Sequence, residues 1–330
     1  MITSSDAWRL CHQRRVRQTG HWIAHTVCHE VPHRQFVFTM PRPLRGIFRK
    51  RRHLLFRTAI ECLRDWFRTR LDLPDGQLAA IAAVQSFGDY LVFHPHLHVL
   101  AATGLYDREG RFHEIPLETL EYLFAELFRH RFIANLLDKK IISERKARQL
   151  LNWKHSGFSI DAGDRPVHSA AGRQQLAEYL LRAPFSLEKI TWVEKTRRVI
   201  CRSSRSWRTK RNFEVFTATE FLAAAVEHIP PKNQHTVRYY GRYSNKCRGM
   251  EVQAWQDTGD GDQPPSVPAP AAASARNLRP LWRNLILRIW GEDPLLCPCC
   301  KGLMKVHGTL TRPGRSSRWR STLRWHRSAH

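Results

Sequence analysis

Two histidines separated by one residue lie in an apolar, β-rich stretch of the chain. His96 and His98 flank Leu97, within a run that extends over residues 90–102. Alternate side chains of a β-strand share a face, so both imidazoles point the same way, about 7 Å apart by strand rise. Two imidazoles on one face can converge on one divalent cation. The spacing therefore predicts a metal site, with a pair of buried, hydrogen-bonded histidines as the alternative.

A third ligand is expected from the strand that pairs with this one. Gln85 lies just before Gly88-Asp89, which suggests a hairpin, and its amide oxygen would then stand beside the pair. Asp89 is the alternative oxygen ligand. His94 is a weaker candidate, because Pro95 would break the ladder there. Two imidazoles and one oxygen favour Mg²⁺ or Mn²⁺ with open positions for water and substrate.

The elements that must position these residues indicate an α+β fold. β-rich runs predict strands and apolar residues at helical spacing predict helices. The strands are expected near 35–40, 78–84, 90–102, 190–193, 198–201, 213–216 and 237–240, and the helices near 54–67, 117–132, 144–153, 174–181, 219–228 and 282–290. Residues 1–33 show no convincing period. We expect a central antiparallel sheet with the histidine pair on a middle strand and helices packed on one face.

The charge balance indicates a polyanionic partner. The chain has 54 Lys and Arg against 29 Asp and Glu, a formal charge of +25, and such an excess favours binding to nucleic acid. No apolar run is long enough to span a membrane, and no secretory signal is visible, so a bacterial cytoplasmic, nucleoid-associated protein is expected. The candidate DNA-binding residues lie in two basic runs, with solvated surface charge as the alternative for each: Arg49, Lys50, Arg51 and Arg52, and Arg205, Arg208, Lys210 and Arg211.

The eight cysteines show no disulfide framework, which favours reduced thiols. Cys297 and Cys300 have the spacing of half a zinc site. A structural zinc site needs four ligands, and the sequence contains no second such pair. Zinc binding there is therefore an expectation with an incomplete ligand set, and two unliganded thiols are the alternative.

Several segments together resemble a known family. His96-Leu97-His98 resembles the His–hydrophobic–His signature of HUH endonucleases, and the longer run over residues 85–104 resembles the rolling-circle transposases of the insertion-sequence-91 family. Further similar segments lie at 36–41, 153–158, 179–184, 228–241 and 293–298. The resemblance covers roughly residues 11–305 and implies an HUH-like fold acting on single-stranded DNA, often beside hairpins at insertion-sequence ends.

The resemblance also implies a mechanism and a nucleophile. Family members use a tyrosine to form a 5′-phosphotyrosine at a metal held by the two histidines and an oxygen ligand. Tyr179 matches the nucleophile segment, and Gln175 stands four positions before it, where some relatives have a second tyrosine. Spacing alone would instead select Tyr239 and Tyr243, although Tyr239 lies in a β-like run.

The resemblance and the composition together divide the chain into four expected parts. Residues 1–33 resemble only the end of an N-terminal zinc module, 34–254 form the nuclease core, 255–278 a flexible linker, and 279–330 a basic segment that contains cysteines. Because the zinc module is incomplete, a DNA-binding remnant without productive transposition is an alternative function. A metal hydrolase acting on a small substrate is a third hypothesis, against which the charge excess and the resemblance both argue.

Overall fold

A computed structural model describes residues 4–115, 121–153, 157–163, 165–184, 186–203 and 210–258, with the single positions 293, 296, 300, 302 and 303. The helices in these ranges are α1 (Ser4–Trp22), α2 (Arg45–Lys50), α3 (Arg52–Leu71), α4 (Glu121–Asp138), α5 (Glu144–Leu151), α6 (Ala170–Leu180), α7 (Ala218–Val226) and α8 (Asn245–Thr258). The strands are β1 (His33–Thr39), β2 (Gln77–Phe87), β3 (Phe93–Tyr106), β4 (Phe112–Glu114), β5 (Ser159–Asp161), β6 (Ile190–Val193), β7 (Arg198–Arg202), β8 (Phe213–Thr217) and β9 (Val237–Gly241).

The central sheet is antiparallel and has the order β5-β1-β3-β2-β9, with β4 paired to the far end of β3. The 14-residue β3 is its middle strand, as predicted. In the register, His96 stands between Thr39 of β1 and Gln85 of β2. The α+β class and the antiparallel central sheet are thereby confirmed.

Helices cover both faces of this sheet, and the expectation that they pack on one face is wrong. Ala80 and Ala82 of β2 belong to a core formed with α3 and α4, whereas Ala79 and Ile81 belong to a second core with α6 and the turn after α1. The reason is visible in residues 78–84 of β2 and 99–102 of β3, which are apolar at every position. A strand with no polar alternation must be buried on both sides.

The first helix was not expected, because residues 1–33 lack a clear apolar period. α1 continues into a π-helical turn at Ile23–Val27, whose apolar residues are fully buried. Tertiary packing on α6 replaces the missing periodicity. Gly20 permits this approach, since a Cβ there would lie 2.6 Å from Glu178 Cγ. α1 is thus tied to the helix that carries Tyr179.

The connection between β2 and β3 is irregular. A bulge places one β2 residue opposite two on β3 between the pairs Gln85–His96 and Phe87–Phe93, and this bulge absorbs Pro95. Tyr90 and Leu91 in the turn both have positive φ, 53° and 59°. Non-glycine residues with such φ values are strained and concentrate at functional sites.

A separate three-stranded sheet, β6-β7-β8, follows the central sheet in sequence, and α7 packs against it. The chain then returns to the central sheet through β9. Gly241 at the end of β9 has φ +58°, and a Cβ there would lie 1.5 Å from Leu78 O. Glycine is therefore required where β9 meets β2.

Two compact units divide the chain, residues 1–268 and 269–330. α8 extends to Thr258, so the first residues of the expected 255–278 linker are helical, and 259–278 lie outside the described residues. In the second unit, Leu296 and Leu303 form an isolated β-bridge and Cys300 is an exposed free thiol. Cys297, the other half of the expected zinc site, lies outside the described residues. None of the helices described is both long and apolar enough to cross a bilayer.

Candidate active site

The histidine pair lies on the α6 side of β3, and the two rings are adjacent. The ring centroids of His96 and His98 are 4.8 Å apart, and both residues are buried. His96 Nδ1 lies 2.7 Å from His94 O, so the Nδ1 proton is donated to this carbonyl and the Nε2 lone pair is available. The strand parity expected from the sequence therefore holds at these two positions.

His98 is oriented by a neighbour on β1. Its Nδ1 lies 2.7 Å from Gln35 Nε2, and its own Nε2 is buried without a hydrogen-bond partner in the described part of the chain. The nitrogen and oxygen of an amide exchange places by a half-turn. As placed, Gln35 Nε2 donates to Nδ1; the half-turned amide instead accepts from Nδ1–H and leaves the lone pair of His98 on Nε2, as in metal-bound histidines that donate their other N–H to an oxygen.

Gln85 is placed beside this pair by the register and fixed there by its own amide. Its Nε2 donates to the carbonyl oxygens of Tyr179 and Leu180 at 3.0 and 3.4 Å. These bonds determine which end of the amide is the oxygen, and Gln85 Oε1 is buried with no partner in the ranges described. Leaving a buried polar atom unpaired costs about 1–3 kcal/mol. Two such atoms, Gln85 Oε1 and His98 Nε2, fit the donor set of a divalent cation.

A carboxylate is not part of this donor set. No group of three His, Cys, Asp or Glu side chains able to hold a metal ion occurs among the described residues. Asp89, the alternative oxygen ligand, lines the same cleft, and its Oδ1 accepts a hydrogen bond from Ser203 Oγ at 2.5 Å. His94 also lines the cleft, with its ring centroid 5.5 Å from that of His96.

Tyr179 projects from α6 over the histidines. Its ring centroid is 5.3 Å from that of His98, in an edge-on arrangement, and 42% of the residue is exposed. Ala177 and Leu180 anchor the helix in the core, and Ser169 caps its N-terminus by accepting from Gly172 N. The phenol is thus held by a rigid element and remains accessible to substrate.

The alternative pair selected by spacing, Tyr239 and Tyr243, is placed differently. Tyr243 is fully buried, and its hydroxyl lies 2.6 Å from His33 Nε2 and accepts from His29 N at 3.1 Å. Tyr239 packs edge-on against Trp22. Tyr243 is therefore a buried hydrogen-bonding residue of the core and has no access to a substrate.

The pKa values of the histidines in the site are held low. Burial lowers the pKa of His98 to about 3, with further contributions from His96 and Arg182. Burial and the charges of Arg45 and His96 lower that of His94 to about 4. The pKa of His96 is also lowered by burial, against the opposing effect of its bond to the His94 carbonyl. Neutral imidazoles at neutral pH retain the lone pair that metal binding requires.

Two arginines at the site had no role in the sequence expectations. The guanidinium carbon of Arg182 lies 4.7 Å from the centroid of the Tyr179 ring and 5.4 Å from that of Phe87. Arg45 donates to Phe93 O at 3.4 Å. The spacing of Tyr179 and Arg182, three residues apart at the end of a helix, is the signal that could have linked them.

A cleft of about 670 Å³ extends from the histidines along the β2–β3 turn. Its lining includes basic residues from separate elements, among them Arg17 of α1, Arg182, Lys189 and Arg202. Asp89 and Glu178 also line the cleft, and the excess of cationic over anionic side chains favours an anionic substrate.

The basic runs predicted from the sequence are only partly available to DNA. Arg49 forms an ion pair with Glu227 at 2.7 Å and covers the Phe93 ring, and the Arg52 guanidinium lies over Phe48. Lys50 and Arg51 are exposed, as are Lys210 and Arg211. Arg205 and Arg208 lie outside the described residues.

Comparison with known proteins places the chain in a family. Residues 79–250, which contain the histidine pair and Tyr179, match the Y2_Tnp family of putative transposases. The chain belongs to this family of transposases, as its sequence predicts.

Two relatives extend the similarity beyond that region. A putative transposase, y4qJ, of Sinorhizobium fredii is 24% identical over 80% of this chain and 70% of its own length. The transposase for insertion sequence element IS801 of Pseudomonas savastanoi pv. phaseolicola is 24% identical over 82% of this chain and 70% of its own length. No solved structure matches the chain.

Proposed function

We propose that this transposase nicks and rejoins single-stranded DNA through a covalent 5′-phosphotyrosine on Tyr179, at a divalent-metal site formed by His96, His98 and Gln85. One observation carries the proposal. The exposed phenol of Tyr179 lies against His98, beside two buried polar atoms, Gln85 Oε1 and His98 Nε2, that have no hydrogen-bond partner in the described ranges. His96, whose ring lies against that of His98, and Arg182, which lies over the Tyr179 ring, both line the same cleft.

The donor set suits Mg²⁺ or Mn²⁺, which accept oxygen ligands and imidazole and keep open positions. When bound, the cation supplies Lewis-acid polarisation of the scissile phosphate. The protein contributes the orientation of its ligands. The His94 carbonyl holds the tautomer of His96, and the Gln35 amide, turned so that its oxygen accepts from Nδ1–H, would hold the matching tautomer of His98. The carbonyls of Tyr179 and Leu180 keep the Gln85 oxygen free, so the helix that carries the nucleophile also orients a ligand.

The covalent step forms one bond and breaks one. The Tyr179 oxygen bonds to phosphorus, the bond from phosphorus to the 3′ oxygen breaks, and the strand leaves with a free 3′-OH that takes up the proton lost by the phenol. Arg182 lies over the phenol ring and lines the cleft, where its guanidinium can stabilise negative charge on the phenol oxygen and the phosphate. Attack by a 3′-OH on the phosphotyrosine reverses the step and joins strands.

The proposed substrates are the single-stranded ends of an insertion sequence, with hairpins as the resemblance implies. The two other hypotheses predict different products. A DNA-binding remnant binds single strands without cleaving them, and a metal hydrolase cleaves a small substrate with no covalent intermediate. The neutral, buried imidazoles are compatible with either metal reaction, and the exposed Tyr179 against His98 favours the covalent one.

A labelled-strand experiment tests the proposal. Single strands from the sequences that flank this gene are labelled at the 3′ end, incubated with the protein and Mn²⁺, and separated on a denaturing gel. We expect a labelled band that migrates with the protein, absent in EDTA, in Tyr179→Phe and in His96→Ala. Tyr239→Phe is the matched tyrosine control and keeps the band. Cleavage without any protein-linked label refutes the phosphotyrosine, and binding without cleavage supports the remnant.

A further inference from the structure

The sheet β6-β7-β8 has one covered face and one open face. Val199 and Cys201 of β7 point to the covered face and are buried. α7 packs there, with the rings of Phe216 and Phe221 6.3 Å apart. The register assigns the alternate residues of β7, namely Arg198, Ile200 and Arg202, and the β8 residues paired with them to the opposite, open face.

The open face alternates apolar and cationic side chains. Phe213 and Val215 of β8 are neighbours on this face and are 43% and 44% exposed. Arg198 and Arg202 of β7 are also exposed and flank Ile200 between them. The other described residues that the register places on this face carry no negative charge: Thr191, Val193 and Thr217.

One acidic group close to this face, Glu220, is already engaged. Glu220 lies close enough to Arg198 to feel its charge, but its carboxylate accepts from Thr217 N at 2.7 Å in a capping box at the start of α7. The open face is therefore apolar in the middle and positive along β7. This pattern is complementary to single-stranded DNA, whose bases have apolar faces and whose phosphates are negatively charged.

The open face is continuous with the catalytic cleft. Arg202 and Ser203, at the end of β7, line the same cleft as His94 and His96. Ser203 Oγ donates to Asp89 Oδ1 in the β2–β3 turn at 2.5 Å. Tyr90 OH in that turn donates to Arg211 O at 2.8 Å, just before β8. Both hydrogen bonds tie the small sheet to the turn beside the histidines.

We propose that this open face binds the single-stranded DNA that enters the catalytic cleft. A base stacks on Phe213, and phosphates contact Arg198 and Arg202. Sheets that present aromatic side chains bind single strands in this way, because unpaired bases expose faces that a duplex keeps stacked. The inference rests on the proposed function and adds to it a binding surface outside the metal site.

Binding of the full-length protein without catalysis tests the surface. A fluorescein-labelled oligothymidine is titrated in EDTA, and fluorescence anisotropy is measured over a series of salt concentrations. Phe213→Ala is expected to weaken binding about 5-fold or more, the loss of one stacked base, and to leave the salt slope unchanged. Arg198→Ala is expected to lower the salt slope by about 0.7, the contribution of one single-strand phosphate contact.

Trp192→Ala is the matched control. Trp192 lies on the other face of the same sheet, is 46% exposed, and donates to a carboxylate, Glu194 Oε2, at 2.5 Å. The register places it opposite Val199, away from the open face. We expect this variant to bind as the wild type does. All three variants change exposed residues, and thermal unfolding midpoints equal to the wild type verify that the fold is intact.

Each result decides the inference. Wild-type affinity in Phe213→Ala overturns it, as does an equal loss in Trp192→Ala, or an equal loss on a duplex, which would indicate phosphate contacts alone. Failure of the proposed function has a different signature, namely no covalent adduct from the wild-type protein while single-strand binding and its dependence on Phe213 persist. An adduct formed by the wild type together with Phe213-independent binding refutes the surface alone.

Discussion

The buried hydroxyl of Tyr243 joins the chain after β9 to the residues around the start of β1, and its removal has a calculable cost. It lies 2.6 Å from His33 Nε2 and accepts from His29 N at 3.1 Å, in a residue that is 0% exposed. His33 Nδ1 donates to Val31 O at 2.7 Å, so the hydroxyl donates to Nε2. Tyr243→Phe keeps the ring and leaves both partners unpaired.

Each unpaired buried group costs about 1–3 kcal/mol, so the two groups left by Tyr243→Phe are expected to lower the free energy of unfolding by about 2–6 kcal/mol. Urea denaturation followed by circular dichroism measures this value, and an unchanged m-value verifies that the extent of unfolding is the same. Tyr239→Phe is the control, because Tyr239 packs by its ring. It is expected to change stability by less than about 0.5 kcal/mol.

The same variant distinguishes the two sets of tyrosines that the sequence leaves open. Because Tyr243 has no access to DNA, Tyr243→Phe is expected to form the covalent adduct at a temperature where it remains folded. A stability equal to the wild type would refute the assigned hydrogen bonds. Loss of the adduct from a fully folded Tyr243→Phe would refute the assignment of Tyr179 as the nucleophile.

Three further predictions concern His33, Gln35 and Arg182. Burial lowers the pKa of His33 to about 3, so the unfolded chain, at about 6.5, binds more protons. Moving from about pH 7.5 to about pH 5 should cost about 2 kcal/mol of stability through His33 alone, so denaturation of His33→Gln should show a loss smaller than that of the wild type by about this amount. Gln35→Leu should weaken Mn²⁺ binding about 10- to 100-fold, measured by electron paramagnetic resonance, and an unchanged affinity would contradict its orienting role. Arg182→Ala should slow adduct formation about 10²- to 10³-fold at an unchanged melting temperature, and a wild-type rate would exclude its role.

Much of the site followed from the sequence because strands have a short and rigid period. Placing His96 and His98 on one face required only alternation, and placing Gln85 opposite them required only a hairpin. Tyr179 came from the resemblance, since no local pattern shows that a tyrosine on a short helix will meet a distant strand.

The remaining features depend on contacts between distant segments. α1 has no apolar period of its own and is helical through its packing on α6, which Gly20 permits. The orientation of Gln85 depends on carbonyls 94 and 95 residues further along the chain. Gln35 meets His98 only through the β1–β3 register. None of these pairings leaves a signal in local composition.

The proposed phosphotyrosine mechanism is tested by identifying the residue that becomes covalently linked to DNA. Wild-type protein is incubated with Mn²⁺ and the flanking single strands, the DNA is digested by nuclease, and the tryptic peptides are analysed by mass spectrometry. We expect a nucleotide attached through its 5′ phosphate to the peptide that contains Tyr179, and a released strand with a 3′-OH that a polymerase can extend. A nucleotide on any other residue, or cleavage with no modified peptide, would contradict it.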